Sequence, residues 1–252
     1  MNVLITAGGT YEDIDSVRSI SNKATGCLGS IIADTFSQAD WQVTYVCGET
    51  AVLPTCDCLE IIRVRNVEEL TLVIETLLHT HLFDCVIHSM AVSDFTPQAI
   101  LSIDEVSEAI SRVIQTENIA YAEMSDRIRA VITQCSKPLT DKKISSKAEN
   151  VALLLKQTPK VIERIKSIQP QTLLVGFKLL SNVSEEELLQ AGLNLLTQNA
   201  CDFVLANDLS YIKNDIHRAI LLDKNGALCR AKTKREIAEV VFEYVSERVA
   251  NI

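Results

Sequence analysis

Short apolar runs alternate along this chain with longer stretches in which apolar residues recur every three or four positions. The runs have the length and β-branched content of buried strands, and the longer stretches have the spacing of amphipathic helices. This alternation at βαβ spacing predicts a Rossmann-like, doubly wound α/β fold with a mainly parallel sheet. The predicted strands are Val3–Ala7, Trp41–Cys47, Cys58–Val64, Asp84–Ser89, Thr172–Phe177 and Asp202–Asn207.

Capping signals mark the starts of helices between these strands. Asn66 and Ser184 are each followed three residues later by a glutamate, which is the spacing of a capping box. A further helix is predicted to begin at Thr158-Pro159, with the proline in the first helical position. Asn225-Gly226 lies between two apolar runs and predicts a C-terminal β-hairpin.

The pattern loosens from Thr96 to about Asp141, where polar helical pieces replace the regular alternation. The polar stretch Lys142-Lys143-Ile144-Ser145-Ser146-Lys147 follows. Such a segment within an α/β chain is typical of a lid rather than of the sheet core. We therefore predict a single domain over residues 1–252, with a helical insertion or flap at about 96–147.

Composition and charge narrow the range of functions. Of the 252 residues, 47% are hydrophobic and 23% are charged, which is typical of a globular protein with a proper core. The net charge of -9 argues against a nucleic-acid surface, because such a surface needs clustered Lys and Arg. The apolar runs are too short to span a bilayer and no signal-peptide pattern is present, so we expect a cytoplasmic protein.

The eight cysteines are scattered, and several lie in predicted strands, as small hydrophobic residues do in a reducing compartment. Cys56 and Cys58 are close in sequence. A zinc site needs about four ligands, however, and no second cluster accompanies this pair. The sequence therefore assigns no metal ligands.

The first strand runs into Gly8-Gly9, and a loop carrying Arg18 and Asn22 precedes a helix that opens after Gly26. Glycine permits positive φ and close approach of a ligand, and the N–H groups at a helix start attract anions. The loop could therefore hold a carboxylate or a phosphate, but the glycines fit a plain tight turn equally well. Because ligands of doubly wound sheets bind beyond the carboxyl ends of strands, the glycines and Ala91–Phe95 should meet over one crevice.

Four further residues each have two interpretations. Lys143 is either a solvated surface lysine or a mobile cation that closes over a polyphosphate. Asp94 is either a strand-end acid or an acceptor for a ribose hydroxyl or a base. His88 lies inside an apolar run, where a histidine is more often a hydrogen-bonded core residue than a binding residue. Phe177 belongs either to the core or to a stacking platform for a base.

Two other classes of function are considered for a protein with such a crevice. A nicotinamide-dependent oxidoreductase would carry a GxGxxG fingerprint, but Gly8-Gly9 is followed only by Gly26 and Gly29. None of the tyrosines has a lysine four residues on, as a short-chain dehydrogenase requires. The second alternative is a nucleotide-binding protein without catalytic activity.

Six stretches together resemble the phosphopantothenate-cysteine ligase family, in its free-standing form rather than fused to a decarboxylase. They are ITAGGTYEDIDSVRSISN with the following ATG, AVSDF, KISSK, LLLKQTPKVI, LLVGFKLL and FVLANDL. The resemblance covers nearly the whole chain and implies an enzyme of coenzyme A biosynthesis. In that family the carboxylate of phosphopantothenate attacks the α-phosphate of CTP, or of ATP in some members, and pyrophosphate leaves. The amine of L-cysteine then displaces the nucleotide to give phosphopantothenoylcysteine.

The resemblance also implies Mg²⁺ with the nucleotide, a homodimer, and roles for individual residues. Asn22 would contact the acyl group, Arg18 would support its loop, and Lys143 would be the flap lysine over the triphosphate. The remaining assignments are substrate contacts at Gly8, Gly9, Gly26 and Ala91, and nucleotide contacts at His88, Asp94, Pro159, Lys160, Val161, Ile162 and Phe177.

Three departures from the family pattern concern the nucleotide. Ala24-Thr25-Gly26 stands where Ser-Ser-Gly is usual, and the flap stretch carries fewer cations than in some relatives. Leu195–Asn199 lacks the lysines that contact the nucleotide in some members. The resemblance favours CTP over ATP, and these departures leave that choice open.

Overall fold

The computed structural model describes residues 1–58, 60–116, 120–139, 150–213 and 216–251. The chain divides into two compact units. The first unit comprises Met1–Tyr11, Ser21–Ser93 and Pro159–Ile252, and the second comprises Glu12–Ile20 and Asp94–Thr158. In the described part of the chain, no helix is both long enough and apolar enough to cross a membrane.

The strands and helices follow one another through both units. The strands are β1 (Asn2–Ala7), β2 (Tyr11–Asp13), β3 (Ser19–Ser21), β4 (Gln42–Gly48), β5 (Glu60–Val64), β6 (Cys85–His88), β7 (Phe95–Ser102), β8 (Lys137–Pro138), β9 (Val151–Gln157), β10 (Leu173–Leu180), β11 (Phe203–Lys213), β12 (Ile216–Asp223) and β13 (Gly226–Thr233). The helices are α1 (Cys27–Gln38), α2 (Val67–Thr80), α3 (Ile103–Thr116), α4 (Tyr121–Cys135), α5 (Val161–Ile168), α6 (Glu185–Gln198) and α7 (Lys234–Ala250).

An eight-stranded sheet forms the centre of the first unit, in the order β13-β12-β11-β10-β6-β1-β4-β5. The strands from β11 to β5 in this order are parallel, and the hairpin β12–β13 adds two antiparallel strands at one edge. The chain builds outward from β1 in both directions, so the order reverses between β1 and β6. The predicted doubly wound, mainly parallel sheet with a C-terminal hairpin is confirmed.

The central strands are covered on both faces, which explains their continuous apolar runs. Val3, Leu4 and Ile5 of β1 are all 0% exposed. The core on one face includes residues of α1 and α7, among them Phe36, whose ring meets the Phe242 ring edge-on at 5.1 Å. The core on the other face includes residues of α2 and α5.

The N-caps predicted at Asn66 and Ser184 are confirmed, although only Ser184 forms a full capping box, and the start predicted for α5 is wrong. The Asn66 side chain accepts the Glu69 amide at 2.9 Å, and Ser184 and Glu187 cap reciprocally. Helix α5 begins at Val161 with Lys160 as its N-cap, two residues later than predicted. The helix starts later because Thr158 still pairs with the neighbouring chain segment, where its N–H donates to the Asp94 carbonyl at 3.0 Å.

The C-terminal hairpin is present, but its turn lies one residue before the predicted position. Asp223 pairs with Gly226, so Lys224 and Asn225 form the loop. Gly226 has φ +120°, which residues with a side chain rarely adopt, and it opens β13. The Asp223 carboxylate stabilises the turn by accepting the Asn225 N–H at 2.7 Å.

The second unit contains a three-stranded antiparallel sheet, in the order β8-β7-β9, besides the predicted helical pieces. It extends beyond the predicted insertion at 96–147 and includes residues 12–20. Strand β7 was missed because Pro97 reads as a breaker, although Pro97, Ala99 and Leu101 are buried with a period of two. The assignment of 1–252 to a single domain stays a prediction.

Candidate active site

The carboxyl ends of β1 and β6 meet, as the topology predicts. Gly9 forms a parallel bridge with Ala91, and the Ala91 N–H donates to the Gly8 carbonyl at 2.8 Å. The buried Thr10 hydroxyl accepts the Ser93 N–H at 3.0 Å and donates to Ser93 Oγ at 3.1 Å. Residues 89–93 are therefore fixed against the start of the first loop.

Asn22 lies at the far end of this loop and contacts the same segment. Its Nδ2 donates to the Ala91 carbonyl at 3.0 Å, although the residue is exposed. A Cβ on Gly9 would lie 3.1 Å from the Asn22 carbonyl oxygen, so the glycine allows the returning loop to come this close. An exposed amide is thus held at the carboxyl edge of the sheet, where it can donate and accept hydrogen bonds.

Gly8 and Gly26 both have positive φ, at 84° and 74°, and both face Ala51. A Cβ on Gly8 would lie 2.7 Å from the Ala51 Cβ, and one on Gly26 would lie 3.0 Å away. The Val52 N–H also donates to the Thr25 carbonyl at 3.0 Å. The glycines therefore serve a tight turn and close packing, and their substrate contacts, like that of Ala91, stay predictions.

His88 is a hydrogen-bonded core histidine, which was one of its two interpretations. Its Nδ1 lies 2.9 Å from Thr6 Oγ1, which also accepts the Met90 N–H at 3.2 Å. Burial lowers the pKa of His88 from 6.5 to about 4, so the ring is neutral at physiological pH. The predicted nucleotide contact of His88 is untested and would come from its backbone.

The segment from Pro159 to Ile162 leads into α5, whose N-cap residue Lys160 makes no capping hydrogen bond through its side chain. Val161 is 2% exposed and lies in the core, so the segment would contact a nucleotide through the N–H groups of the first turn. Phe177 is half-buried on β10 and packs against the core on the face of α1 and α7. The nucleotide contact of Phe177 stays a prediction.

Three other predicted site residues do not belong to the first unit. Arg18 and Asp94 belong to the second unit. Arg18 Nη2 lies 2.6 Å from Asp15 Oδ2, and Asp94 is exposed. Lys143 lies outside the described residues, so its role stays a prediction.

The described residues contain no group of three His, Cys, Asp or Glu side chains that could hold a metal ion. The thiols of Cys56 and Cys58 are free, with their sulfur atoms 3.5 Å apart. Mg²⁺ in nucleotide enzymes commonly keeps several waters and binds through one or two carboxylates and the substrate phosphates. The Mg²⁺ that the resemblance implies stays a prediction.

The free energy of unfolding should fall as the pH is lowered from 7 to 5. Burial lowers the pKa of His88 and of His217 from 6.5 to about 4, with Lys234 adding to the effect on His217. The unfolded chain then binds protons that the folded chain does not, at a cost of about 2 kcal/mol per histidine at pH 5. Urea unfolding at both pH values measures the loss.

The contribution of His217 can be separated from that of His88 by substitution. His217→Gln should remove about half of the loss attributed to the two rings. A pH dependence that is the same in the wild type and His217→Gln would show that His217 does not contribute.

The sequence matches one family model and curated relatives over nearly its whole length. The model of the family described as the DNA/pantothenate metabolism flavoprotein C-terminal domain matches residues 1–105 and 128–249. The coenzyme A biosynthesis bifunctional protein CoaBC of Thermococcus kodakarensis is 30% identical over 246 residues, which are 97% of this chain and 51% of that protein. The chain therefore spans about half the length of the curated relatives that it matches.

Solved structures share the fold. The DNA/pantothenate metabolism flavoprotein from Streptococcus pneumoniae has a TM-score of 0.80 and 35% identity, over 98% of this chain and 99% of that chain. A mutant of Cab2 in complex with phosphopantothenate-cysteine has a TM-score of 0.68 at 17% identity, over 99% of this chain and 86% of that chain. At that identity the second likeness supports the fold alone.

Proposed function

This chain belongs to the family of the DNA/pantothenate metabolism flavoprotein C-terminal domain, and we propose that it joins phosphopantothenate to L-cysteine. The product would be phosphopantothenoylcysteine, on the route to coenzyme A. Relatives named as coenzyme A biosynthesis proteins support this proposal, as does the resemblance of the six sequence stretches. The observation that carries it is the exposed Asn22 amide, held on the Ala91 carbonyl at the carboxyl edge of the sheet.

Asn22 would act on the acyl group. In the first step the phosphopantothenate carboxylate attacks the α-phosphate of the nucleotide, and pyrophosphate leaves. In the second step the cysteine amine attacks the acyl carbonyl, negative charge develops on the carbonyl oxygen, and the nucleoside monophosphate then leaves as the amide forms. The Asn22 amide, fixed in advance by Ala91, would donate to that oxygen and stabilise the transition state.

The phosphates would be bound by backbone and by cations. The N–H groups of the first turn of α5 would face an anion, and by the family resemblance Lys143 would supply positive charge and Arg18 would support the loop of Asn22. Mg²⁺, when bound with the nucleotide, would screen the negative charge between the reacting anions. By the same resemblance, Asp94 and Phe177 are nucleotide contacts.

We also propose CTP as the co-substrate and a homodimer as the assembly. The choice of CTP rests on the family resemblance. The dimer is supported by half-exposed apolar side chains at one end of β10, β11 and β12, namely Leu179, Leu209, Tyr211 and Ile216. Light scattering at micromolar concentration should give twice the mass of the chain, and a monomer mass would contradict the dimer.

Pyrophosphate release tests the reaction. We expect release only when nucleotide, Mg²⁺ and phosphopantothenate are all present, with CTP more effective than ATP. L-cysteine should then convert the acyl-nucleotide to phosphopantothenoylcysteine, which mass spectrometry detects. Nucleotide binding without turnover would favour a catalytically silent protein. A change in NADPH absorbance would favour an oxidoreductase.

A further inference from the structure

The segment between β4 and β5 carries two thiols side by side. Cys56 Sγ and Cys58 Sγ are 3.5 Å apart, and both thiols are free. Both residues are half-buried, so the pair lies within reach of small molecules in solution. The proposed reaction uses neither thiol, and the closeness of the two sulfur atoms indicates a separate chemistry.

The backbone at this pair already has the compactness that a disulfide requires. The Cys58 N–H donates to the Cys56 carbonyl at 3.1 Å, which closes a three-residue turn around Asp57. Residues two positions apart are separated by at most about 7 Å in an extended chain, and this turn brings them closer. A disulfide needs Cα atoms about 4.4–6.8 Å apart and sulfur atoms about 2 Å apart. The two sulfur atoms therefore have to approach by only about 1.5 Å.

The two thiols lie in different surroundings. Asp34 Oδ1, on α1, accepts the N–H groups of Thr55 and Cys56 at 2.7 and 2.8 Å. Cys56 Sγ also lies 3.8 Å from the Ala33 carbonyl oxygen, as a weak donor. Cys56 is thus fixed against α1, whereas the Cys58 side chain packs against the core on the face of α1 and α7.

This difference sets the order in which the thiols react. Burial raises the pKa of the Cys58 thiol to about 12, and the hydrogen bond and charge of Cys56 add to that effect. The thiolate is the nucleophile, so Cys58 is protonated and unreactive at neutral pH and Cys56 must attack first. Once Cys56 is bonded to another sulfur, it no longer carries a charge, so Cys58 then ionises more easily.

We propose that Cys56 and Cys58 form a thiol–disulfide exchange site for low-molecular-weight disulfides of the cystine type. The Cys56 thiolate attacks one sulfur of cystine, the S–S bond of cystine breaks, and one L-cysteine leaves with the proton that Cys56 lost. The Cys58 thiolate then attacks Cys56 Sγ, and the second L-cysteine leaves with the Cys58 proton. Two protein thiols are oxidised to one disulfide, and one cystine is reduced to two cysteines.

The exchange is reversible and independent of the proposed function. Disulfides that solvent reaches are among those that small thiols reduce most readily, so an excess of L-cysteine should restore both thiols. The exchange needs neither a nucleotide nor phosphopantothenate. It can therefore be measured whether or not the chain releases pyrophosphate.

Mass spectrometry of the full chain, incubated with cystine at neutral pH and then alkylated, tests the site. The wild type should lose two hydrogen atoms and yield a peptide in which Cys56 and Cys58 are joined. Cys58→Ser should stop at the mixed disulfide, with one cysteine bound to Cys56. Cys56→Ser should take up cysteine at Cys58 at least about tenfold more slowly, because the remaining thiol is the protonated one.

Cys229→Ser is the matched control, because Cys229 is also a half-buried free thiol whose pKa burial raises. It should form the Cys56–Cys58 disulfide at the wild-type rate. Wild type that gains cysteine adducts without joining Cys56 to Cys58 would overturn the proposal, and this measurement needs no variant. Equal rates for Cys56→Ser and Cys58→Ser would also overturn it, since the pair would then be two independent thiols.

Discussion

Replacing Asn22 by aspartate should slow acyl transfer by about a hundredfold or more, which is the usual cost of losing one oxyanion donor. The variant places a negative charge where negative charge develops on the acyl oxygen. It also removes the donor to the Ala91 carbonyl, so the side chain loses its fixed position. Single-turnover formation of phosphopantothenoylcysteine, at saturating substrates, measures the effect.

The control for this variant is Asn194→Asp, which makes the same chemical change on the exposed face of α6. Asn194 Oδ1 accepts from Gln190 Nε2 at 2.9 Å, and an aspartate can still do so. Its rate should equal that of the wild type. If Asn22→Asp also reacts at the wild-type rate, Asn22 does not stabilise the acyl transition state.

Gly48→Ala should lower the free energy of unfolding by about 3 kcal/mol and reduce acyl transfer more than tenfold, because it overpacks a backbone contact. A Cβ on Gly48 would lie 2.4 Å from the Gly9 carbonyl oxygen and 3.2 Å from the Gly9 nitrogen. Backbone atoms cannot rotate away as a side chain can. The end of β4 or the start of the first loop must therefore move, and Asn22 with it.

Gly192→Ala gives a matched comparison for Gly48→Ala. Its Cβ would lie 2.3 Å from Leu222 Cδ1, which is an equally short contact but with the end of a flexible side chain. Alanine is also favoured over glycine within a helix such as α6. The stability should change by less than about 1 kcal/mol, and urea unfolding of both variants tests the difference. Equal losses would show that backbone contact at Gly48 is not decisive.

The residues of the site differ in how well the sequence predicts them. The meeting of Gly8-Gly9 with Ala91 follows from topology, because parallel strands bring their carboxyl ends to one edge. Asn22 and Arg18 were noted as polar residues of the first loop and given their roles by a resemblance, but their hydrogen-bond partners were not predicted. Asp15 lies only three residues from Arg18, yet an acid at that distance has many possible roles until its burial is known.

The sequence by itself determined the elements of the first unit and their order. Burial on both faces, capping side chains and βαβ spacing are local properties, so they can be identified along the chain. The strand β7 was missed for the same reason, because Pro97 is a local signal against a strand that pairing with β9 overrides.

Only the tertiary structure decided which small residues close the first loop and which polar groups hold it. Ala51 packs against Gly8 and Gly26, and Thr6 joins His88 to the Met90 backbone, although the sequence predicts neither Ala51 nor Thr6 as a site residue. These contacts join residues far apart in the chain, and they depend on separations of a few tenths of an ångström. Periodicity and capping carry no information at that scale, because packing fixes such distances only when all the elements are in place.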